Sequence, residues 1–533
     1  MPADLLFYNA HIFTADPDQP TAEALAVQGN RIVFVGTPAD AEPWRGPHTR
    51  VVDARGSTLM PGFIDSHFHL FWGSVELRAA QLGEVRSLDD LRHVLLDYAI
   101  AHPTQEWIHG LGLVYLTPHE GGSLTRHHLD AILADRPMAV TAYDGHTVWA
   151  NTLALQKAGI LHGADVPAGS EIVMGADGLA TGELRERGAF HYVNDLIPEP
   201  TEPEKRALLH QGLRLAAQMG ITSVHNMDGD MGQLTRYMAL EDTGELTLRV
   251  YIPFSVRPET RIEALAEAVE MANANPGGMA RGGAVKFFMD GVIESYTALM
   301  LDDYEGTPGN KGGALFTADH FNRMATEADR LGLQIFVHAI GDAAVRRTLD
   351  GYEAAQQANG KRDSRHRVEH IEVHHPDDLP RFAELGVIAS MQPLHAPLTA
   401  SGHDIWPARV GVARWDRSFA WNRVREAGAR VVFGSDWPVV SQSPFKGMFN
   451  ALNRAPWQEN LSDHCQTLEQ TLLSYTRDAA YAEFMEHEKG MLKPGYLADL
   501  VLLSEDIFTV PPADIERVHP RMTVVDGRVV FGG

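Results

Sequence analysis

Residues 61–70 read PGFIDSHFHL. The Pro-Gly pair ends one segment, and residues 67–70 alternate polar with apolar. In a β-strand, residues i and i+2 share a face. His67 and His69 therefore point the same way and can reach one ion. Placed at the carboxyl end of a strand in an α/β barrel, they stand where such barrels keep their active sites.

Eight β-type runs can be placed along the chain. They are 63–69, 221–227, 249–256, 284–290, 333–339, 366–372, 387–392 and 430–435. Most are separated by segments such as EPEKRALLHQGLRLAAQMG and TADHFNRMATEADRLG, with apolar residues at i, i+3, i+4 and i+7, the signature of an amphipathic helix. Strand–helix alternation repeated eight times predicts an α/β protein built on a (β/α)₈ TIM-like barrel. Between the first two runs lie about 130 residues, where a barrel loop usually has about 2–6. That length predicts an insertion subdomain after barrel strand 1, over the barrel mouth. At the chain start, DLLFYNAHIFT, ALAVQGNRIVFVG and TRVVDARGSTLMPG are short β-rich runs, and at its end ADLVLLS and MTVVDGRVVFGG repeat the texture after a KPG turn. Strands at both termini predict one small composite β-sandwich. The expected division is 1–59 with 488–533 as the sandwich, 60–73 with 202–487 as the barrel, and 74–201 as the insertion.

Composition narrows the chemistry. The chain has 533 residues, with 44% hydrophobic and 22% charged, ordinary globular usage. Lys and Arg number 45 against 70 Asp and Glu, a formal net charge of −25. Such a balance argues against nucleic acid or an anionic membrane surface as partner. It favours a small-molecule substrate and does not prevent a homodimer. No apolar run reaches the roughly 18 residues of a transmembrane helix, and the start shows no targeting signal; a cytoplasmic protein is the default expectation. The single cysteine, Cys465, leaves no internal disulfide and no Cys-rich zinc site, while 26 histidines leave metal chemistry open.

Four further ionisable residues stand at or just past the ends of separate apolar runs. Lys286 lies in GGAVKFFMDG, His338 in LQIFVHAIGD, His370 in RHRVEHIEVHH and Asp436 in VVFGSDWPV. For any one alone, a solvated loop residue or, for the histidines, a satisfied core group is the commoner reading. Six such residues on five strand ends point to a metal site, because an apolar run ending in a polar ionisable group is costly without a partner. Neutral imidazoles and a carboxylate suit Zn²⁺, one ion or two, and also Mn²⁺, Fe²⁺ or Co²⁺. An ammonium cannot ligate a metal, so Lys286 is either carboxylated by CO₂ or a hydrogen-bond donor. Metal-bound hydroxide would attack a carbonyl carbon, with Asp436 shuttling the proton to the leaving amine.

PGFIDSHFH, DGHTVWANTLAL, TGELRE, GITSVHN, VKFFMDG, FVHAIGDAAV, HRVEH, MQPLHA and FGSDWPV follow one another along the chain. In that order they resemble the amidohydrolase superfamily, and within it amidohydrolase family 3, a group that includes N-substituted formamide deformylase. The resemblance implies that His67, His69, His338, His370 and Asp436 are metal-site residues, Lys286 a carboxylated bridging ligand, and zinc the usual metal of a binuclear centre. It implies hydrolysis of a C–N bond in an amide, N-acyl or N-formyl compound. The alternative is the same scaffold acting on a cyclic imide, carbamate, ester or lactone, or deaminating an amino-heterocycle. In DGVIESYTALM, Tyr296 stands where the commoner family form has Arg. Substrate contacts are expected from His146, His395, Tyr296 and Trp437. His225, at the end of the second run, reads either as a further pocket residue or as a cap of the barrel core, and Glu186 as a helix-face residue.

Overall fold

The computed structural model describes residues 1–116, 123–143, 145–167, 170–400 and 405–532. Asp144 and Gly533, each at the end of a motif quoted above, lie outside the described residues. The chain forms two compact units, Met1–Leu70 with Leu213–Gly533, and Phe71–Gly212.

The first unit holds eight parallel strands in sequence order: β1 (Phe63–Phe68), β2 (Ile221–Asn226), β3 (Arg249–Ser255), β4 (Ala280–Phe288), β5 (Gln334–Ala339), β6 (Arg367–His370), β7 (Ile388–Met391) and β8 (Arg430–Phe433). The expected (β/α)₈ barrel is therefore present. Its strands are buried almost throughout, as both faces of a helix-covered parallel sheet must be. Two of the covering helices start where a side chain satisfies an orphan N–H. Asp230 caps the helix Met231–Asp242, and Thr317 caps Ala318–Arg330.

The seam between β8 and β1 closes at the carboxyl end. Asp436 N–H donates to the His67 carbonyl at 2.7 Å, and His69 N–H to the Trp437 carbonyl at 2.9 Å. Asp65 ties the same two segments together, accepting from His67 N–H at 3.1 Å and Ser435 N–H at 2.9 Å. Gly434 permits the approach, since a Cβ there would lie 2.3 Å from the His67 backbone nitrogen.

Both chain ends build the β-sandwich. One sheet orders Arg31–Gly36, Ala24–Gln28, Leu5–Tyr8 and Arg50–Asp53. In the other, Leu500–Leu503 is paired between Thr58–Pro61 and Pro520–Val525. Leu5, Phe7, Leu25, Val27, Leu59, Leu500, Leu502 and Val524 pack as its core. Arg249 at the start of β3 fastens the sandwich to the barrel, with Nε donating to Asp499 at 2.6 Å and Nη2 to Asp526 at 2.8 Å.

The second unit has its own six-stranded mixed sheet, in the order Glu171–Met174, Ala180–Arg185, Thr147–Ala150, Met138–Ala142, Ile108–Leu113, Ala80–Gln81. Alternate residues feed two separate cores. Met138, Val140 and Trp149 join one with Leu91 and Leu95. Ala139, Val148 and Ala150 join the other with Leu155 and Val193.

Candidate metal centre

The carboxyl ends of β1, β6 and β8, with the turn after β7, bring five of the expected residues together. His67 Nε2 lies 3.4 Å from Asp436 Oδ1, and His69 Nε2 lies 3.1 Å from the same oxygen. His395 Nε2 lies 3.6 Å from the other oxygen, Oδ2. Two groups of ligand atoms result, each compact enough to hold one metal ion: His67, His69 and Asp436, and His370, His395 and Asp436. Asp436 belongs to both. The imidazoles run on as a row, with ring centroids 5.7 Å apart for His67 and His69, 4.7 Å for His67 and His370, and 4.4 Å for His370 and His338.

The backbone is bent to make these ends meet. Asp436 adopts φ 64°, His370 φ 75° and Ile371 φ 51°. All three are in the left-handed region, which is costly above all for a β-branched isoleucine. Seam bonds hold Asp436 there, and Ile371 N–H donates to the Ala339 carbonyl at 3.1 Å.

Partners on the far side of each ring decide which nitrogen faces the centre. His67 Nδ1 donates to Glu369 Oε2 at 2.8 Å, and His69 Nδ1 to Asp228 Oδ1 at 2.7 Å. Both rings then turn Nε2 toward Asp436, the orientation metal-ligating histidines use. His338 is turned differently, with Nε2 donating to the Gly291 carbonyl at 3.1 Å; it lies beside the row but in neither compact group.

The donor set fits a cation. His370 Nδ1, His395 Nε2 and Lys286 Nζ are buried without a hydrogen-bond partner, and buried polar groups of native proteins are seldom left so. Burial drives His338 down to about 3 and His370 well below its ordinary value, so both are neutral at pH 7. Asp436 is held well below the usual carboxylate range: burial opposes ionisation, but the neighbouring His67, His69 and His370 outweigh it. Burial also lowers Lys286 to about 8, against the pull of Glu369 and Asp436. The Lys286 ammonium sits 4.6 Å over the Phe288 ring.

The remaining expected residues fall elsewhere. Tyr296 is half-buried, 4.3 Å beneath the Arg409 guanidinium and 5.1 Å from the Tyr304 ring. A guanidinium from another segment thus covers the tyrosine. Trp437 stacks on Phe68 at 4.9 Å, inside the seam. His146 belongs to the second unit, with Nδ1 3.2 Å from each oxygen of Glu186. Glu186 is a loop residue at φ 63°, ψ 160° that precedes the helix Arg187–Asn194, and not a helix-face residue. His225 is fully buried in the barrel interior. Asp228, Glu369 and Arg367 went unremarked in the sequence; the carboxylate two residues past β2 and the one beside His370 in RVEH were the only signals.

Fold and site together define a metal-dependent barrel hydrolase. The chain belongs to the amidohydrolase family, whose sequence model matches residues 50–531. It is 31% identical over 517 residues to protein LONG AFTER FAR-RED 3 of Arabidopsis thaliana, covering 94% of this chain and 87% of that one. It is 26% identical over 545 residues to N-substituted formamide deformylase of Arthrobacter pascens, covering 98% and 97%. Among solved structures, a metal-dependent hydrolase of Pyrococcus horikoshii shares the fold, with a TM-score of 0.75 at 24% identity over 95% of this chain and 99% of that one.

Proposed function

We propose that the protein hydrolyses a C–N bond of a small amide, N-acyl or N-formyl compound, with Asp436 as the proton shuttle. One observation carries this reading: Asp436 offers an oxygen to each of two compact ligand groups. His67 and His69 would hold one Zn²⁺, and His370 and His395 a second, with Asp436 common to both. The bound cation supplies Lewis acidity and lowers the pKa of water toward neutrality. Asp436, ionised and buried, takes the proton that water loses as its oxygen adds to the carbonyl carbon. It returns that proton to the nitrogen as the C–N bond breaks, so the amine leaves neutral. The buried carboxylate needs no rearrangement between the two transfers, because the seam fixes its backbone.

Lys286 enters the reading as a carboxylated residue. Its amine is partly unprotonated near neutral pH, the form that adds CO₂, and the resulting carbamate would give its buried nitrogen a place in the polar centre. The formamide deformylase relative supports an amide substrate, and the likeness over nearly the full length of both chains supports the same reaction class.

The test is metal content of chain purified without chelator, with an intact mass under non-acidic conditions, followed by a substrate panel. About two ions per chain, the added mass of one CO₂ and turnover of N-formyl or N-acyl amines support the reading. Turnover confined to lactones, esters or amino-heterocycles overturns the C–N assignment, and a metal-free chain with full turnover overturns the mechanism.

A further inference from the structure

The barrel interior below the centre carries a column of charge the proposed reaction does not use. Arg367 and Glu369, both on β6, are wholly buried. Arg367 Nε donates to Glu369 Oε1 at 2.8 Å, and Nη2 to Glu369 Oε2 at 3.1 Å. Nη2 also serves Ser390 Oγ at 2.9 Å and the Ser66 carbonyl. The guanidinium lies 4.3 Å from the Phe336 ring centroid. On its other side, Nη1 meets His225 Nδ1 at 2.7 Å. Below His225, Glu483 lies 3.2 Å from Nε2 and binds Lys489 at 2.6 Å and Arg281 at 2.5 Å.

We infer that Arg367 and Glu369 are positioning residues that lock His67 in the tautomer able to bind the metal. This rests on the metal-centre reading above. A guanidinium is always charged and only donates. It holds Glu369 as an anion, which only accepts. The hydrogen between Glu369 and His67 Nδ1 therefore belongs to His67, and the lone pair is left on Nε2, the atom facing Asp436. By the same logic His225 Nδ1 must accept from Arg367, so the proton of His225 sits on Nε2, toward Glu483. Every tautomer in the column follows from Arg367, which is anchored from four sides and has no room to turn. β6 carries the pair two residues apart, so both side chains share one face and enter the interior together.

The probe is Zn²⁺ alone, bound to the full chain in competition with a chromogenic chelator. Glu369→Gln leaves a side chain that can donate as well as accept, so it no longer dictates the proton on His67. Its expected cost is about 10–100-fold in Zn²⁺ affinity, while Glu369→Asp is expected to recover part of it. A folded Glu369→Gln chain with wild-type affinity overturns the inference. The second readout needs no Glu369 variant: the ring ¹⁵N shifts of His67 in the metal-free wild type, assigned by their loss in His67→Asn. A hydrogen on Nδ1 with Nε2 bare supports the lock, and a hydrogen on Nε2 overturns it. A wild-type chain that takes up no Zn²⁺ overturns the proposed function instead, and the ¹⁵N shifts still decide the lock.

Discussion

At the scale of single residues, two groups carry most of the weight. Asp436 touches His67, His69 and His395 with its two oxygens. Replacing it with Asn preserves size but removes the charge and the capacity to carry a proton. The Asp436→Asn chain is expected to fold and to lose about 10²–10⁴-fold in kcat, read by steady-state turnover beside a circular dichroism spectrum; near-normal turnover would remove the residue from its role. His69 sets a pH dependence. Burial disfavours its charged form, but the hydrogen bonds to Asp228 and Asp436 outweigh burial and push it up to about 9 in the metal-free chain. Its folded value lies above the ordinary 6.5, so its contribution to metal-free stability is present below 6.5 and fades as pH rises through 9. A cation at His67 and His69 must displace that proton, so its affinity is expected to climb between pH 6.5 and 9 and its binding at pH 7 to release a proton. Competition titrations across that range check this, and a flat affinity would contradict it.

At the scale of elements, the strands were readable because each combines an apolar run with a polar end. Two boundaries were less legible, for physical reasons. β4 begins at Ala280, earlier than the expected residue 284, and takes in Gly282 and Gly283. They lie inside the strand, where a Cβ on Gly282 would meet the Met271 backbone at 2.7 Å; Gly282 admits a close helix. β6 ends at His370, short of residue 372, because His370 and Ile371 both turn left-handed, which no propensity announces for isoleucine. The seam makes the sharpest prediction at this scale. Gly434 has no positive φ to demand glycine; the close approach of the His67 backbone nitrogen, His67 Cβ and Asp65 Oδ1 does so. Gly434→Ala is thus an overpacking change of about 1–3 kcal/mol or more, and it should separate β8 from β1 where Asp436 and His67 meet. Thermal unfolding should show the loss, and metal affinity should fall with it. Unchanged melting together with unchanged metal binding would mean that the seam is not under the constraint its geometry describes.

At the scale of the whole molecule, the sequence disclosed the candidate site only as far as each group announces itself on its own strand. His67, His69, His370 and Asp436 could be picked from strand ends. Asp228 and Glu369 could not, since their meaning lies in which ring nitrogen they hold, and that depends on packing between strands far apart in the chain. Tyr296 shows the same limit: its cover by Arg409 comes from a segment more than a hundred positions later. Because the groups of the centre come from separate strands of one unit, a cation held there links those strands directly, and its removal should act regionally. A ligand that binds only the folded state stabilises by about 2.7 kcal/mol at one hundred times its Kd. Chelation should withdraw that increment from the unit that holds the ligands. The second unit, Phe71–Gly212, has its own sheet and two cores of its own. Hydrogen exchange followed by mass spectrometry, with and without chelator, is therefore expected to quicken in peptides covering 63–70, 367–373 and 433–439. Peptides covering 138–142 and 147–150, in the middle of the second unit's sheet, should keep their protection. Uniform acceleration across both units would show that the cation stabilises the chain as one cooperative body. No change in either would mean that the cluster around Asp436 holds no cation in solution.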